Sequence, residues 1–495
     1  MTDNITKPEE NVQLKKIIAH SKEYGFVYPS SEIYDGLQAV YDYGPYGTEL
    51  KNNIKDLWWQ SMIKLHPQIV GLDAAIFMHP LTWKASGHID SFNDPMIDNK
   101  DSKKRYRADV LIEDRAAEYE KDGKMDQANS LLKEMGRLLE HEDLKGVYDL
   151  IVRENIVCPV SGTANWTEVR QFNLMFSTRI GSVSEDTNTV YLRPETAQGI
   201  FVNFLNVQKT ARMKIPFGIA QTGKAFRNEI VARQFIFRMR EFEQMEMQFF
   251  IRPGEEMKWY EHWKVKRFNW HKAMGIPETK LRFHDHDKLA HYANAAVDIE
   301  FEFPFGFKEV EGIHSRTDFD LGNHQELSKK KLQYFDIELN KSYVPFVIET
   351  SAGLDRLFLM ILANAYREEE VGEGENRKIR AFLKIHPALA PVKAAIFPLV
   401  KKDGLPELAR KIVDDLKLDF NIIYEDSQSI GKRYTRQDLI GTPYCIAVDH
   451  QSLEDGTVTI RDRDTMDQVR VRIEDLKSEI DSRVTIKNIL KSLVD

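Results

Sequence analysis

The chain has 495 residues, of which 42% are hydrophobic and 29% charged, and its formal net charge is −8. These values are ordinary for a globular protein of two or three domains, and they give no support for a nucleic-acid partner, although a local basic surface can operate within an acidic chain. Two cysteines, Cys158 and Cys445, exclude a disulfide framework and favour a reducing compartment.

The N-terminal residues and the hydrophobic pattern predict where the protein is located. The opening MTDNITKPEE has neither the apolar core of a signal peptide nor the arginine-rich character of a transit peptide. No stretch approaches the roughly 20 apolar residues that span a bilayer. We therefore expect a cytoplasmic protein with no membrane partner.

The first part of the chain is predicted to contain two helices and a strand. Residues 11–24 have a helical pattern that ends at Gly25, and an amphipathic helix follows the Gly-Pro turn in YDYGPYGTELKNNIKDLWWQSMIKLH. The segment IVGLDAAIFMHP reads as a strand closed by Pro80. Residues 110–150 are charged and almost free of aromatic side chains, so we interpret them as a helical insertion outside the main core.

Residues 225–250, AFRNEIVARQFIFRMREFEQMEMQFF, predict an antiparallel hairpin with IVARQFI as its loop. Side chains two residues apart share a strand face, so arginines, an aromatic ring and carboxylates should lie together. One interpretation is the solvated outer face of a sheet, which is the usual reason for polar alternation. The other is a ligand site, because arginine suits phosphate oxygens and phenylalanine stacks on a base. This stretch alone leaves both interpretations open.

Two further groups of charged residues follow a helix predicted near 254–273. EVEGIHSRTDFDL places Glu309, Glu311 and Arg316 beside an apolar strand, where the carboxylates would either hold Mg²⁺ or be solvated. ETSAGLDRLFL passes from a strand into a long apolar helix at Gly353, with Arg356 one turn into that helix. Taken alone, the second group is better explained by an ordinary glycine-mediated strand-to-helix turn with a surface arginine.

The polar run REEEVGEGENRK, residues 367–378, is predicted to be a linker, and the alternating strands and helices after it predict a small domain of mixed or parallel sheet. The expected fold class is therefore α/β (α+β). We expect a catalytic domain at 1–375, with the insertion at about 98–165, and a second domain at 376–495.

Taken together, the ordered motifs resemble the class II aminoacyl-tRNA synthetases, and among them the homodimeric glycyl-tRNA synthetase family. Arg227-x-Glu229 is similar to motif 2, Gly353-Leu-Asp-Arg356 to motif 3, and the Trp58-Trp59 helix with its following strand to motif 1. The segments that carry the resemblance are YDYGPYGTELKNNI, RYRAD, NWTEVRQFNLMF, YLRPETAQGIF, REFEQMEMQFF, EGIHSRTDFDL and ETSAGLDR, with IGKRYTRQDLIGTPYCIAVD and TVTIRDRDTMDQVRV resembling an anticodon-binding domain.

The resemblance implies a class II antiparallel-sheet catalytic domain that joins glycine to tRNA(Gly) in two steps, with ATP as substrate and Mg²⁺ bound through Glu309. Arg227 and Arg356 would be catalytic, Glu229 would accept from the adenine amino group, and Phe242 would stack on adenine. The implied ATP-binding residues are Arg227, Asn228, Glu229, Phe237, Arg238, Phe242, Glu309, Val310, Gly353 and Arg356.

Glycine offers only an ammonium group, a carboxylate and the absence of a side chain for recognition. By resemblance, the carboxylates of Glu195, Glu246 and Glu349 would bind the ammonium group, and no editing domain is needed because glycine has no smaller competitor. The full implied set for glycine is Arg107, Glu195, Glu246, Arg316, Glu349 and Ser351. The implied partners are ATP, glycine, tRNA(Gly) and a second copy of the chain.

One departure from the family concerns a CxxC pair, where this chain has Cys158 followed by Ser161. With one thiol, no structural zinc is expected there. Two rival functions are a non-catalytic binding module, which should lack residues such as Arg227 or Arg356, and a synthetase for another small amino acid such as proline or threonine.

Overall fold

The protein is described by a computed structural model over residues 8–181, 189–229, 234–286, 293–372 and 377–494. Its first elements agree with the predicted helix pair. Up to residue 107 the elements are α1 (Pro8–Glu23), β1 (Val27–Pro29), β2 (Tyr41–Tyr43), α2 (Pro45–Leu65), β3 (Ile69–Gly71), α3 (Pro80–Ala85), α4 (His88–Ser91), β4 (Asn93–Asp98) and β5 (Arg105–Arg107).

The predicted helical insertion is confirmed as three helices with an apolar cluster of their own, built on residues such as Leu111, Leu138 and Val147. It leads into short strands and helices before the central hairpin. These elements are α5 (Ala108–Lys121), α6 (Met125–Glu140), α7 (Leu144–Arg153), β6 (Arg170–Asn173), β7 (Ser177–Arg179), β8 (Thr189–Tyr191), α8 (Ala197–Val202) and α9 (Phe204–Thr210).

The middle of the chain supplies most of the central sheet. Its elements are β9 (Phe217–Phe226), β10 (Glu241–Ile251), α10 (Glu256–Ala273), β11 (Leu281–Asp285), β12 (Ala295–Phe303), β13 (Gly306–Thr317), α11 (Phe319–Ser328), β14 (Tyr334–Asp336), β15 (Lys341–Tyr343), β16 (Phe346–Gly353), α12 (Leu354–Ala365) and β17 (Tyr366–Val371). Among the described residues, seven strands form one sheet in the order β11, β12, β13, β16, β10, β9, β3. Neighbouring strands are antiparallel apart from β3 and β9, which are parallel.

Alternation along β10 separates a core face from a site face. Met245, Met247 and Phe249 point into a core shared with α2, α10 and α12. Glu246 and Gln248 therefore point to the other face, where both are buried. The hydrophobic effect thus anchors the strand on one side while polar groups occupy the other.

Helix α2 is held against the start of the chain by close backbone contact. A Cβ on Gly47 would lie 1.9 Å from the carbonyl oxygen of Phe26, so only glycine fits there. The buried side chains of α2, including Leu50, Ile54 and Trp58, recur at helical spacing and pack into the core beneath the sheet.

The C-terminal part has the predicted mixed sheet, in the order β20, β19, β21, β22, β23, with β19 parallel to both β20 and β21. Its elements are β18 (Lys378–Leu383), β19 (Ala394–Pro398), α13 (Leu405–Leu416), β20 (Ile422–Tyr424), α14 (Ile430–Ile440), β21 (Tyr444–Val448), α15 (His450–Asp455), β22 (Thr457–Asp462), β23 (Gln468–Arg472), α16 (Leu476–Val484) and α17 (Ile486–Ser492). None of the helices in the described ranges combines the length and apolar character needed to cross a bilayer.

The linker prediction for residues 367–378 is wrong for half of its length. β17 pairs antiparallel with β18, from Tyr366 opposite Leu383 to Val371 opposite Lys378. Cross-strand charge pairs such as Arg380 with Glu369, 2.6 Å apart, let a polar ribbon form a ladder despite its linker-like composition. Residues 373–376 lie outside the described residues.

Two other expectations need correction. The strand predicted for residues 69–80 ends at Gly71, because the amide of Ala74 donates to the side chain of Gln221 instead of extending the ladder. In the loop predicted for 230–236, residues 230–233 lie outside the described residues. Its end enters a short 3₁₀ helix at Phe235–Phe237.

Candidate active site

One cavity of about 130 Å³ opens where β10, β13 and β16 meet the residues after β9. It gathers residues from all three charged groups noted in the sequence. Its lining includes Arg227, Glu229, Phe237, Arg238, Phe242, Gln244, Glu309, Ser351, Gly353 and Arg356. The ligand-site interpretation of the hairpin is therefore favoured over a solvated face, since these side chains surround a concave space.

Arg227 is held between two aromatic rings. Its guanidinium carbon lies 5.4 Å from the centre of the Phe92 ring and 5.3 Å from that of Phe242. Its Nε donates to the carbonyl of Pro194 at 3.1 Å, and its backbone amide donates to the carbonyl of Arg240. These contacts fix the direction of the guanidinium, as a preorganised charge donor requires.

The other two arginines of the cavity are paired with carboxylates. Arg356 lies 2.8 Å from Glu309 and packs over the ring of Phe237, while Arg238 lies 3.6 Å from Glu229. Burial opposes ionisation of Glu309, but Arg356 outweighs it and lowers the pKa of the carboxyl group. The cavity therefore combines cationic groups with an ionised carboxylate, which is the hard oxygen ligand that Mg²⁺ prefers.

Asn228 and Val310 were predicted to belong to this site but lie outside its lining. The backbone amide of Asn228 donates to the carbonyl of Leu174. Val310 is buried in the core beneath the sheet. Both positions shape the backbone beside the cavity.

Three carboxylates converge beside the cavity on the site face of the sheet. Glu195 precedes α8, Glu246 lies on β10, and Glu349 lies on β16. Gln248 links two of them, because its Nε2 donates to Glu246 at 2.8 Å and to Glu349 at 2.7 Å. The hydroxyl of Thr196 donates to the other oxygen of Glu246. We call Glu195, Glu246 and Glu349 the acidic cluster.

Charged neighbours decide which members of the acidic cluster are ionised. Burial opposes ionisation of Glu349, but the charges of Arg316 and His314 and the hydrogen bonds from His314 and Gln248 together outweigh burial and lower its pKa. Burial is likewise outweighed at Glu195, where His88 and Arg316 lower the pKa to about 2. Burial and the charges of the other two carboxylates raise the pKa of Glu246 well above its usual range. Ionisation is therefore favoured at Glu195 and Glu349 and disfavoured at Glu246.

Arg316 and His314 hold Glu349 in place. Nη1 of Arg316 lies 3.2 Å from Glu349, and its other nitrogens bind Asp320 at 2.7 and 3.0 Å. Nδ1 of His314 lies 2.8 Å from Glu349. Arg316 and His314 therefore order Glu349, and Asp320 adds a second anchor for Arg316 that the sequence did not reveal.

Arg107 is the one predicted glycine-site residue that the structure keeps apart from the acidic cluster. Its guanidinium pairs with Asp94 at 3.3 Å and with Asp109 at 2.6 Å, in a separate cavity beside the insertion. Ser351 does line the main cavity, where its hydroxyl accepts from Gln244 at 3.5 Å.

Glu311 does not join the Mg²⁺-binding carboxylates that the sequence suggested. Arg267 binds it at 2.5 and 3.1 Å, and His271 lies 2.8 Å away, all fully buried beneath the sheet. The register of β12 and β13 shifts beside Val310, because Glu300 pairs with Glu309 while Ile299 pairs with Glu311. This bulge places two glutamates of the same parity on opposite faces.

Sequence reasoning missed Gln248 and Phe92. Gln248 continues the every-second-residue series that runs through Phe242, Gln244 and Glu246, so the strand pattern carried a signal for it. Phe92 is 135 positions from Arg227, and only the tertiary fold brings the two together.

Three family models match the chain. They describe a tRNA synthetase class II core domain (G, H, P, S and T) at residues 177–365, a glycyl-tRNA synthetase insertion domain 1 at 94–130 and 122–174, and an anticodon binding domain at 393–483. With the antiparallel sheet and its arginine-lined cavity, they define a class II aminoacyl-tRNA synthetase.

Sequence comparison with known proteins identifies the family within this class. The chain is 53% identical to the glycine–tRNA ligase of Chlorobaculum tepidum over 462 residues, which is 93% of this chain and 97% of the relative. It is 54% identical to those of Macrococcus caseolyticus and Staphylococcus saprophyticus, over 95% of this chain and 98% and 99% of theirs. The chain belongs to the glycyl-tRNA synthetase family.

Proposed function

We propose that the protein activates glycine with ATP to glycyl-adenylate and then transfers the glycyl group to the 3′ end of tRNA(Gly). The observation that supports it best is the position of the arginine-lined cavity directly beside the acidic cluster. β10 contributes Phe242 to the arginine-lined cavity and Glu246 to the acidic cluster, so one strand would align ATP with glycine.

The first step joins two anions, the glycine carboxylate and the α-phosphate of ATP, so the site must neutralise charge along the line of attack. Arg227 contacts the α-phosphate and the incoming carboxylate, and Arg238 and Arg356 hold the β- and γ-phosphates. The carboxylate oxygen attacks the α-phosphorus, and the bond to pyrophosphate breaks. Phe242 stacks on adenine, and Glu229 accepts from its amino group.

Mg²⁺ would be held by Glu309 together with phosphate oxygens, where it would neutralise charge that develops on the leaving pyrophosphate. The side chain of Glu309 is 45% exposed and ionised, so it fits this role. Asn228, Val310 and Gly353 complete the proposed ATP site through the backbone that surrounds the cavity.

The acidic cluster binds the glycine ammonium group. Arg316 orders Glu349, and Ser351 lies at the boundary between the two substrates. Arg107 stays in the proposed set on the family resemblance, because its guanidinium pairs with Asp94 and Asp109 in this structure. Alanine is excluded by the packed polar atoms around the cluster, since overpacking costs about 1–3 kcal/mol.

The remaining parts of the proposal concern partners and location. The C-terminal domain, for which we propose residues 376–495, contacts the tRNA anticodon, and the catalytic domain occupies residues 1–375 with an insertion at about 98–165. A second copy of the chain packs against α2 and β3, the motif 1 elements. We place the enzyme in the cytoplasm, where its two cysteines stay reduced.

The test is ATP–pyrophosphate exchange with purified protein and Mg²⁺, using glycine, alanine, serine, proline and threonine separately. We expect exchange with glycine alone. Exchange with another amino acid would keep the class and overturn the substrate, and no exchange from folded protein would favour the non-catalytic binding module. The variant Glu246→Ala should lose glycine activation while ATP still binds.

A further inference from the structure

Two histidines and an aspartate lie together at one edge of the central sheet, outside the residues assigned to ATP and glycine. His286 follows β11, Asp298 lies on β12, and His314 lies on β13. One ligand atom from each lies within 4.8 Å of the other two. Each side chain is partly buried, with 32%, 15% and 18% exposure. We call these residues the His–Asp–His group.

Strand register explains how three separate segments reach one point. His314 pairs with Ala296 on β12, and the backbone amide of His286 donates to the carbonyl of the same Ala296. Asp298 is two residues further along β12, so its side chain points to the same face as that of Ala296. Neighbouring strands therefore present the three ligand groups side by side.

The orientation of His314 leaves one ring nitrogen available. Its Nδ1 lies 2.8 Å from the carboxylate of Glu349, so that nitrogen carries the proton and donates it. Within the described part of the chain, Nε2 of His314 has no hydrogen-bond partner. A carboxylate behind a histidine is the usual arrangement around a metal-binding imidazole, because it fixes the tautomer and raises the basicity of the other nitrogen.

Gly312 provides the space in which the group comes together. It pairs with Asp298 across the strands. A Cβ at this position would lie 3.0 Å from Cε1 of His314, 3.3 Å from its Nε2 and 3.5 Å from the Asp298 carboxylate. The φ angle of Gly312 lies outside the left-handed region, so a side chain here would crowd His314 and Asp298 without straining the backbone.

We propose that His286, Asp298 and His314 bind one divalent transition-metal ion of the Zn²⁺ type. Imidazole nitrogens suit Zn²⁺, Co²⁺ and Fe²⁺ better than Mg²⁺, and three protein ligands leave at least one coordination position open. The site is different from the carboxylate site at Glu309 and from the loop of Cys158, where no structural zinc is expected.

Metal binding would also act on the acidic cluster. A cation on Nε2 of His314 withdraws electron density from the ring, so Nδ1–H becomes a stronger donor to Glu349. The metal would therefore hold Glu349 more firmly in the position proposed for glycine recognition. Because direct metal binding is what the experiment measures, the proposal and the proposed enzymatic function can fail separately.

The experiment is a titration of the full-length, tag-free protein with Co²⁺ after removal of metals by a chelator, without ATP. We expect one Co²⁺ per chain, seen by its visible ligand-field absorption, and displacement of Co²⁺ by Zn²⁺. His314→Ala and the nearly isosteric Asp298→Asn should each weaken binding by about 10–100-fold.

Two variants control for other ligands. His141→Ala removes an exposed histidine of the insertion and should leave binding unchanged. Cys158→Ser should also leave it unchanged, and loss of binding in this variant would assign the ion to the Cys158 loop and overturn the proposal. Absence of saturable Co²⁺ binding by the wild type would overturn it as well. If His314→Ala fails to fold, as judged by circular dichroism, Asp298→Asn decides.

Discussion

The side-chain amide of Gln248 donates to the carboxylate of Glu349, directly opposite on the neighbouring strand, over 2.7 Å. The same nitrogen donates to Glu246 at 2.8 Å, so one neutral group holds two acidic side chains together. Without this bridge, repulsion between carboxylates would separate them. The geometry of the proposed glycine site thus depends on a residue that does not itself carry charge.

Gln248→Ala should weaken glycine recognition. A hydrogen bond to a charged group contributes about 1.5–3 kcal/mol, so we expect KM for glycine to rise by about tenfold or more while KM for ATP changes little. ATP–pyrophosphate exchange at varied glycine measures this. Gln451→Ala, an exposed glutamine in the C-terminal domain, is the matched control. An equal rise in both KM values would contradict the assignment.

Glycine affinity should increase as pH rises. Burial and the neighbouring carboxylates raise the pKa of Glu246, so this group is neutral below that pKa and ionised above it, where it attracts the ammonium group better. KM for glycine should therefore fall more steeply with pH in the wild type than in Glu246→Gln. Identical slopes would show that Glu246 does not titrate.

Glu309→Gln and Glu311→Gln should affect different properties although they are two residues apart, the first activity and the second stability. Glu309→Gln should lower kcat/KM for ATP by about tenfold or more, with an unchanged thermal midpoint, since it removes a charge from the cavity. Glu311→Gln should destabilise the catalytic domain by about 3–5 kcal/mol, because it leaves Arg267 buried without an ionised partner. Thermal unfolding and exchange kinetics on both variants distinguish them. Similar changes in activity and in thermal midpoint for the two variants would contradict the placement of Glu309 in the cavity and Glu311 in the core.

Arg227→Ala should lower kcat for glycine activation by about 10²–10³-fold, as is typical when one preorganised charge donor is lost. Single-turnover formation of glycyl-adenylate measures the chemical step directly. Arg240→Ala is an informative comparison, because Arg240 lies outside the cavity lining although its Nε donates to the backbone carbonyl of Glu229. Its Nη1 donates to the carbonyl of Gln38. A larger loss in Arg240→Ala than in Arg227→Ala would contradict the proposed role of Arg227.

Phe92→Leu should reduce kcat by about tenfold without loss of stability. The Phe92 ring packs against the guanidinium of Arg227, as the ring of Phe242 does, and a flexible guanidinium is a poorer charge donor than an ordered one. KM for glycine should change less than kcat, which separates this effect from that of Gln248→Ala. The same exchange assay, with Phe283→Leu as a surface control, provides the comparison.

Much of the candidate site was predictable because strand geometry converts sequence spacing into a shared face. The alternating residues Phe242, Gln244 and Glu246 needed only a period of two to be placed on one side of β10. The turn from β16 into α12 at Gly353 was visible for a similar reason, since its apolar helix follows immediately. These features are local, and local backbone geometry is what a sequence specifies most directly.

The sequence by itself determined the chemical groups available, their order and the family to which the chain belongs. Only the tertiary structure decided their neighbours. The bulge beside Val310 turns the side chain of Glu311 toward the core. Arg107 pairs with Asp94 and Asp109. Three strand segments together form the His–Asp–His group. Such contacts depend on register and on packing between segments far apart in the chain, and neither is encoded in the period of any single strand.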